Sequence, residues 1–450
     1  MPFNSITFIF YFFPLCLLLY YLVQSIRLKN ISLIIFSFVF YFWGEGRGVA
    51  FFFCFIVFGW IFGIILHRHH QKFLLFLAVT IPLSCLFYFK YLHFFLPSAT
   101  KTNLPLGISF FTFQLISYLI DCYRQKITQP ASLFNFAFYL SFFPYLISGP
   151  ITRYPDIQKF ISSRKLSIAS FQEGIIRFSF GLTKKILLAG NLSVISDQIF
   201  LQPADKLPAI ISWLGVFTYS LQIFLDFSGY SDMAIGLAKM FAIDLPENFH
   251  YPYFSSSITD FWRRWHISLS SWFRDYLYIP LGGNRCPPLR NYFNLLIVFS
   301  LCGLWHGAAY TFFVWGVYHG ILLVIDKIVT QFHFKLPTIL HIITTFTLVS
   351  LGWVLFKVNS LRHAITFYQS LIGHKSSLIT FSQVFSPRQY LSASSLITFF
   401  ILSIIFTFIP IKVVNRQPQF LCQIFAVIFL LISLVYLSEN TYKPFIYFRF

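Results

Sequence analysis

Two histidines in this chain have surroundings that suit chemistry. His306 lies in Leu301-Cys302-Gly303-Leu304-Trp305-His306-Gly307-Ala308, within a run from Asn291 to Ile325 that holds no charged residue. An ionisable side chain in such a run is costly to bury and marks function by default. His266 closes the aromatic segment Phe261-Trp262-Arg263-Arg264-Trp265-His266. Burial beside aromatic rings keeps an imidazole neutral, and a neutral imidazole can take the proton of an attacking hydroxyl. The pair therefore points to acyl transfer by general base catalysis, with no bound metal or cofactor. Cys302, four residues before His306, would share its helix face and raises a Cys–His nucleophilic route. Cysteine in an apolar helix is more often packing. His319, in Tyr318-His319-Gly320, reads as structural, and His67, His69 and His70 lie in a basic loop without the carboxylates or cysteines of a metal site. Walker A, Rossmann glycine, HExxH and GxSxG patterns are all missing, which leaves most common soluble chemistries unsupported.

The elements that must position these residues belong to a membrane. Of 450 residues, 57% are hydrophobic and 10% charged, against about 25% charged in a soluble domain. Such a chain cannot cover itself with polar surface, whereas a lipid-facing surface removes the need. Aromatics make up 22% of the chain and exclude disorder, collagen and coiled coil. The fold class is all-α: a polytopic helical membrane protein. Lys and Arg number 33 against 14 Asp and Glu, giving a net charge of +19. The basic residues fall in short loops between apolar runs, as the positive-inside rule requires, so nucleic acid is not the partner. The seven cysteines are scattered, form no CxxC and read as packing.

Uncharged stretches near 20 residues give spans at 6–26, 48–66, 73–89, 208–225, 336–356, 391–411 and 418–438. Weaker runs are 31–43, 104–120, 130–151 and 291–325, for a total of about ten or eleven spans. The first run lacks a cleavage site and is expected to remain as a span, with the N-terminus outside. Pro144 and Gly149-Pro150 interrupt 130–151, which is expected to re-enter rather than cross. As one helix, 291–325 would reach about 52 Å, so it must bend, tilt or start at the interface. Within it, Gly303 and Gly307 permit close approach of another helix or a ligand.

Two polar insertions interrupt the spans. Residues 152–207 alternate basic and apolar residues and are expected to form amphipathic helices on the cytoplasmic interface. Residues 227–290 carry the second insertion. At helical spacing, Trp262, Trp265, Leu269, Trp272 and Tyr276 form an aromatic stripe and Arg264, Ser268, Ser271 and Asp275 a polar one, predicting an interfacial helix with His266 beside the stripe.

At these residues the chain resembles the membrane-bound O-acyltransferase family, in its bacterial polysaccharide-acetylating branch. The resemblance runs through Leu104–Asp121, Ser148–Tyr154, Leu225–Asp232, Leu245–Phe249, Phe261–His266, Tyr278–Gly283, Leu304–Ala308 and Pro444–Phe450. Tyr310 stands where this branch has a Trp. The resemblance implies a single membrane acyltransferase domain over 1–450, with N-terminal spans to about 100, a catalytic core over 101–330 and C-terminal spans beyond. It carries the catalytic histidine to His306 and the second family histidine to His266. It further implies acetyl-CoA as the acyl donor substrate, entering by a tunnel from the cytoplasm. The product would be an O-acetylated extracytoplasmic polysaccharide, alginate-like or peptidoglycan. A periplasmic acetyltransferase of the SGNH-hydrolase type, a polysaccharide synthesis complex and the bacterial inner membrane are the implied partners and location.

A CoA donor needs cations for its phosphates, and Arg153, Lys184, Lys185, Arg263 and Arg264 are the candidates, unless they only anchor helices to anionic lipid. Rival readings are D-alanyl transfer to teichoic acid and a transporter in which the histidines relay protons. No repeat relates the halves, which counts against transport.

Overall fold

Backbone amides in hydrocarbon are satisfied only within a helix or a closed barrel, and the apolar runs of this chain become helices. The computed structural model describes residues 1–96, 103–332, 337–373, 379, 384, 393–408 and 419–439, and contains no strand among them. Seven of its helices are long and apolar enough to cross a membrane: Ile26–Glu45, Gly48–His69, Lys72–Phe95, Ala209–Met240, Tyr310–Gln331, Thr338–Lys357 and Phe420–Ser438. Three shorter apolar helices, Phe8–Leu22, Ile108–Tyr123 and Ile397–Phe408, bring the apolar set to the lower end of the expected count. The Pro444–Phe450 block and the last residues of the 391–411 run lie outside the described residues.

Burial separates lipid-facing helices from interior ones. Lys72–Phe95 is only 17% buried and turns Phe73, Phe76 and Phe87 outward. Ala209–Met240 is 78% buried, which makes it a core element despite its polar residues.

The chain divides into two contact units, one built chiefly from Met1–Ser179 with Tyr230–Glu247, the other from Phe180–Gly229 with Asn248–Tyr436. In the first, small residues let helices cross closely. A Cβ on Gly174 or on Gly236 would stand 2.7 Å from the other's carbonyl oxygen. Arg177 ties Asp232 at 2.9 Å to Glu247. Burial alone would lower the Arg177 pKa, but the two carboxylates outweigh it and hold the guanidinium above its ordinary value. The 130–151 run breaks at Phe142 into Leu133–Ser141 and Phe143–Leu146, both too short to cross a bilayer.

Four sequence expectations change. The weak run 31–43 is part of a full 20-residue helix, Ile26–Glu45. The second polar insertion begins after Met240 rather than at 227, because Ala209–Met240 runs straight through Asp226-Phe-Ser-Gly-Tyr-Ser-Asp232. Its two carboxylates are matched inside the protein, Asp226 by Lys185 and Asp232 by Arg177. The 152–207 insertion is amphipathic only at Tyr154–Ser162 and the start of Ile168–Thr183; from Leu182 to Lys185 and Leu187 to Ala189 it is buried, with a wide π-type turn at Lys184–Ala189. The 260–275 segment is two short helices, Ile258–Arg264 and Ile267–Phe273, with a corner between them.

Candidate active site

The second unit holds the residues singled out for chemistry. The 291–325 run folds into two antiparallel helices, Pro288–His306 and Tyr310–Gln331, joined by the three residues Gly307-Ala308-Ala309. Glycines set their spacing: a Cβ on Gly303 would lie 2.3 Å from the Phe312 carbonyl oxygen and 3.0 Å from the Gly316 Cα. Gly307 lies against the Phe312 ring, where a Cβ would come within 2.4 Å. The long apolar run is thus accommodated by a reversal, and His306 is the last residue of its helix, at the turn. The carbonyl end of a helix stabilises positive charge, which an imidazole acquires when it accepts a proton.

His306 is 4% exposed and its ring is enclosed by Trp305, Trp315 and Phe356 at 4.9, 5.1 and 5.1 Å. Trp305 also faces His266, at 6.3 Å, so a single indole lies against both histidines. Beyond Trp315, His319 packs at 4.9 Å, with Trp262 at 5.1 Å on its other side. Buried rings in edge-to-face contact make this a rigid, water-poor wall. Cys302 is a buried free thiol one turn before His306.

His266 sits on the corner between the two short helices, in a left-handed conformation with φ 43°. It is not beside the aromatic stripe of one helix, because the first helix ends where Trp265 N–H donates to Phe261 O. Segment 248–250 holds the corner from both sides: His250 N–H donates to Arg264 O, and Ile267 N–H to Asn248 O, each at 2.9 Å. The imidazole is 1% exposed, and Phe227 packs edge-on at 4.6 Å. Burial pushes its pKa down to about 3, so it is neutral at physiological pH. Its Nδ1 lies 3.0 Å from Asn248 Oδ1.

The model of the membrane-bound O-acyltransferase family matches residues 70–362. The chain belongs to this family. A probable alginate O-acetylase of Pseudomonas aeruginosa is 40% identical over 395 residues, covering 83% of this chain and 75% of the relative. A peptidoglycan O-acetyltransferase of Helicobacter pylori is 36% identical, covering 82% and 80%. A teichoic acid D-alanyltransferase of Bacillus subtilis is 30% identical over 57% of this chain. As a membrane-bound O-acyltransferase the protein is an acyltransferase enzyme with several membrane spans.

Within this acyltransferase, the five basic residues proposed from sequence have different settings. Arg153 begins the Tyr154–Ser162 helix in the first unit. Lys184 and Lys185 are buried in the second, where Lys185 is ion-paired with Asp226, so they are interior charges and not lipid anchors. Arg264 bridges Asp260 at 2.9 Å, and Arg263 is exposed. Sequence reasoning missed two supporting residues. Asn248 appeared only inside a longer matching segment, 18 residues from the histidine it contacts. Asp326 accepts from Thr259 N–H at 3.0 Å and from its hydroxyl at 2.6 Å, capping from a distance the helix that leads to His266.

Proposed function

We propose that this enzyme moves acetyl groups from acetyl-CoA to hydroxyls used for O-acetylation of an extracytoplasmic polysaccharide, an alginate-like exopolysaccharide or peptidoglycan. The observation that carries the reading is the placement of two buried imidazoles, His306 and His266, against the one indole of Trp305. The names of two relatives, 40% and 36% identical, support the acetyl group and the glycan. In the reaction, His306 accepts the proton of the acceptor hydroxyl as its oxygen attacks the thioester carbonyl. The carbon–sulfur bond then breaks, and the imidazolium returns the proton to the departing thiolate, giving coenzyme A and an acetyl ester. The aromatic wall keeps water from competing for the thioester. His266 assists by orienting the acceptor and leaves the hydroxyl proton to His306. Exposed Arg263, with Arg264 beside it, is the stronger candidate for the donor phosphates, and Arg153, Lys184 and Lys185 complete the set to be tested. The setting is the bacterial inner membrane, with a periplasmic acetyltransferase of the SGNH-hydrolase type receiving the acetyl group for polymers too large to reach a buried site. Purified enzyme given radiolabelled acetyl-CoA and an acceptor should transfer label in detergent, where vectorial transport cannot occur. Failure with acetyl-CoA alongside success with a D-alanyl carrier protein would overturn the acetyl assignment, and failure with every donor would favour a transporter.

A further inference from the structure

The hydrogen bonds around Asn248 decide which nitrogen of His266 carries the proton. Asn248 Oδ1 faces three neighbours: His266 Nδ1 at 3.0 Å, the Ser268 backbone N at 3.2 Å and the Ser268 hydroxyl at 2.9 Å. A backbone N–H can only donate, so the amide atom that meets it must be the oxygen and not the NH2 group. The oxygen in turn can only accept, so the imidazole nitrogen beside it must be Nδ1–H. A neutral imidazole has one hydrogen. Nε2 therefore holds the lone pair, and it is buried without a hydrogen-bond partner among the described residues. Orphaned buried acceptors cost free energy, and a non-glycine residue at positive φ costs more, so both features together need compensation from function.

We propose that Asn248 is a positioning residue for acyl transfer: it holds His266 as the Nδ1–H tautomer, so that Nε2 presents a lone pair, and not an N–H, to the acceptor whose attacking hydroxyl gives its proton to His306. The role in transfer rests on the acyltransferase reading above; the tautomer does not. Asn248 accomplishes this without charge. Among the described contacts, the side chains against His266 include Phe227, Trp305 and Asn248, none of which titrates near neutrality. The ionisable groups next along those elements are Asp226, paired with Lys185, and His306; Arg264, two residues away, is paired with Asp260. Burial keeps the imidazole uncharged, and the neutral amide adds no charge to oppose it.

Nitrogen NMR of the full-length protein labelled with 15N-histidine, with His266 assigned by comparison with His266→Gln, reads the tautomer directly. A protonated Nδ1 and an unprotonated Nε2 are expected, and the reverse pattern overturns the proposal whether or not a donor has been identified. Asn248→Asp keeps an oxygen toward all three donors but adds charge beside the ring, so the acid limb of kcat should move to higher pH by about one pH unit or more. Asn248→Leu should lower kcat at least about tenfold with KM little changed. Should Asn248→Leu not fold, the NMR pattern and the Asn248→Asp profile still decide. A wild-type pH profile in Asn248→Asp would reduce Asn248 to a structural contact.

Discussion

Replacing Gly303 by Ala tests whether the close crossing of Pro288–His306 and Tyr310–Gln331 is what places His306. The new Cβ would meet the Phe312 carbonyl oxygen at 2.3 Å and the Gly316 Cα at 3.0 Å, where ordinary contact begins near 3.4 Å. Both atoms are backbone, so no side chain can swing aside, and the helices must separate by roughly 1 Å. Overpacking of this kind costs about 1–3 kcal/mol. His306 is three residues further on, in the last turn of the same helix. A 1 Å misplacement of a catalytic group costs about 100-fold in rate. Gly303→Ala should therefore lower the melting temperature in detergent and cut kcat of acetyl transfer by about two orders of magnitude, and Gly316→Ala should do the same. Gly190→Ala is the control, because the nearest atom to its Cβ is the Lys185 carbonyl oxygen at 3.8 Å. Alanine there should be neutral or slightly stabilising. Wild-type stability and rate in Gly303→Ala would refute the reasoning.

Three further predictions concern charge and support. Lys185→Met removes the cation from a buried pair and should destabilise the protein by about 3–5 kcal/mol, while adding Asp226→Leu should restore most of it; calorimetry in detergent distinguishes single from double variant. The depressed pKa of His266 means that the unfolded chain, whose histidine titrates near 6.5, takes up a proton that the folded chain refuses. Stability from this residue is whole above about pH 6.5 and falls as pH drops toward 3, by about 2 kcal/mol at pH 5; melting curves should show a shallower acid decline in His266→Gln, and parallel curves would count against its neutral burial. Asp326→Ala removes the second, distant cap from Ile258–Arg264, whose Ser257 N-cap remains, and should cost about 1–2 kcal/mol, with kcat falling more than KM changes because that helix leads into His266.

Sequence went furthest where chemistry and composition coincide. His306 was visible as an ionisable residue in an uncharged run, and His266 as a histidine among tryptophans. The reversal after His306 was not, since Gly307-Ala308-Ala309 lacks the proline or charge that usually marks a turn. Polar residues misled at Asp226–Asp232: read alone they end a membrane helix, yet each carboxylate meets a cation from a distant segment, which keeps the helix intact to Met240. The reverse error befell Lys184 and Lys185, whose charges suggested a surface that their burial excludes. Periodicity also failed at His266. Its stripe was helical in pattern, but hydrogen bonds from residues 248–250 bend the chain there, and pairings over such separations leave no local signal.

The central claim is that His306 takes the proton of the acceptor hydroxyl, and the rate of acetyl transfer by His306→Ala tests it most directly. The variant, purified with wild-type yield and wild-type melting behaviour, should lose kcat by several orders of magnitude with labelled acetyl-CoA and acceptor, because the imidazole enclosed by Trp305, Trp315 and Phe356 is the general base of the reaction. Retention of a tenth of the wild-type rate would contradict the account.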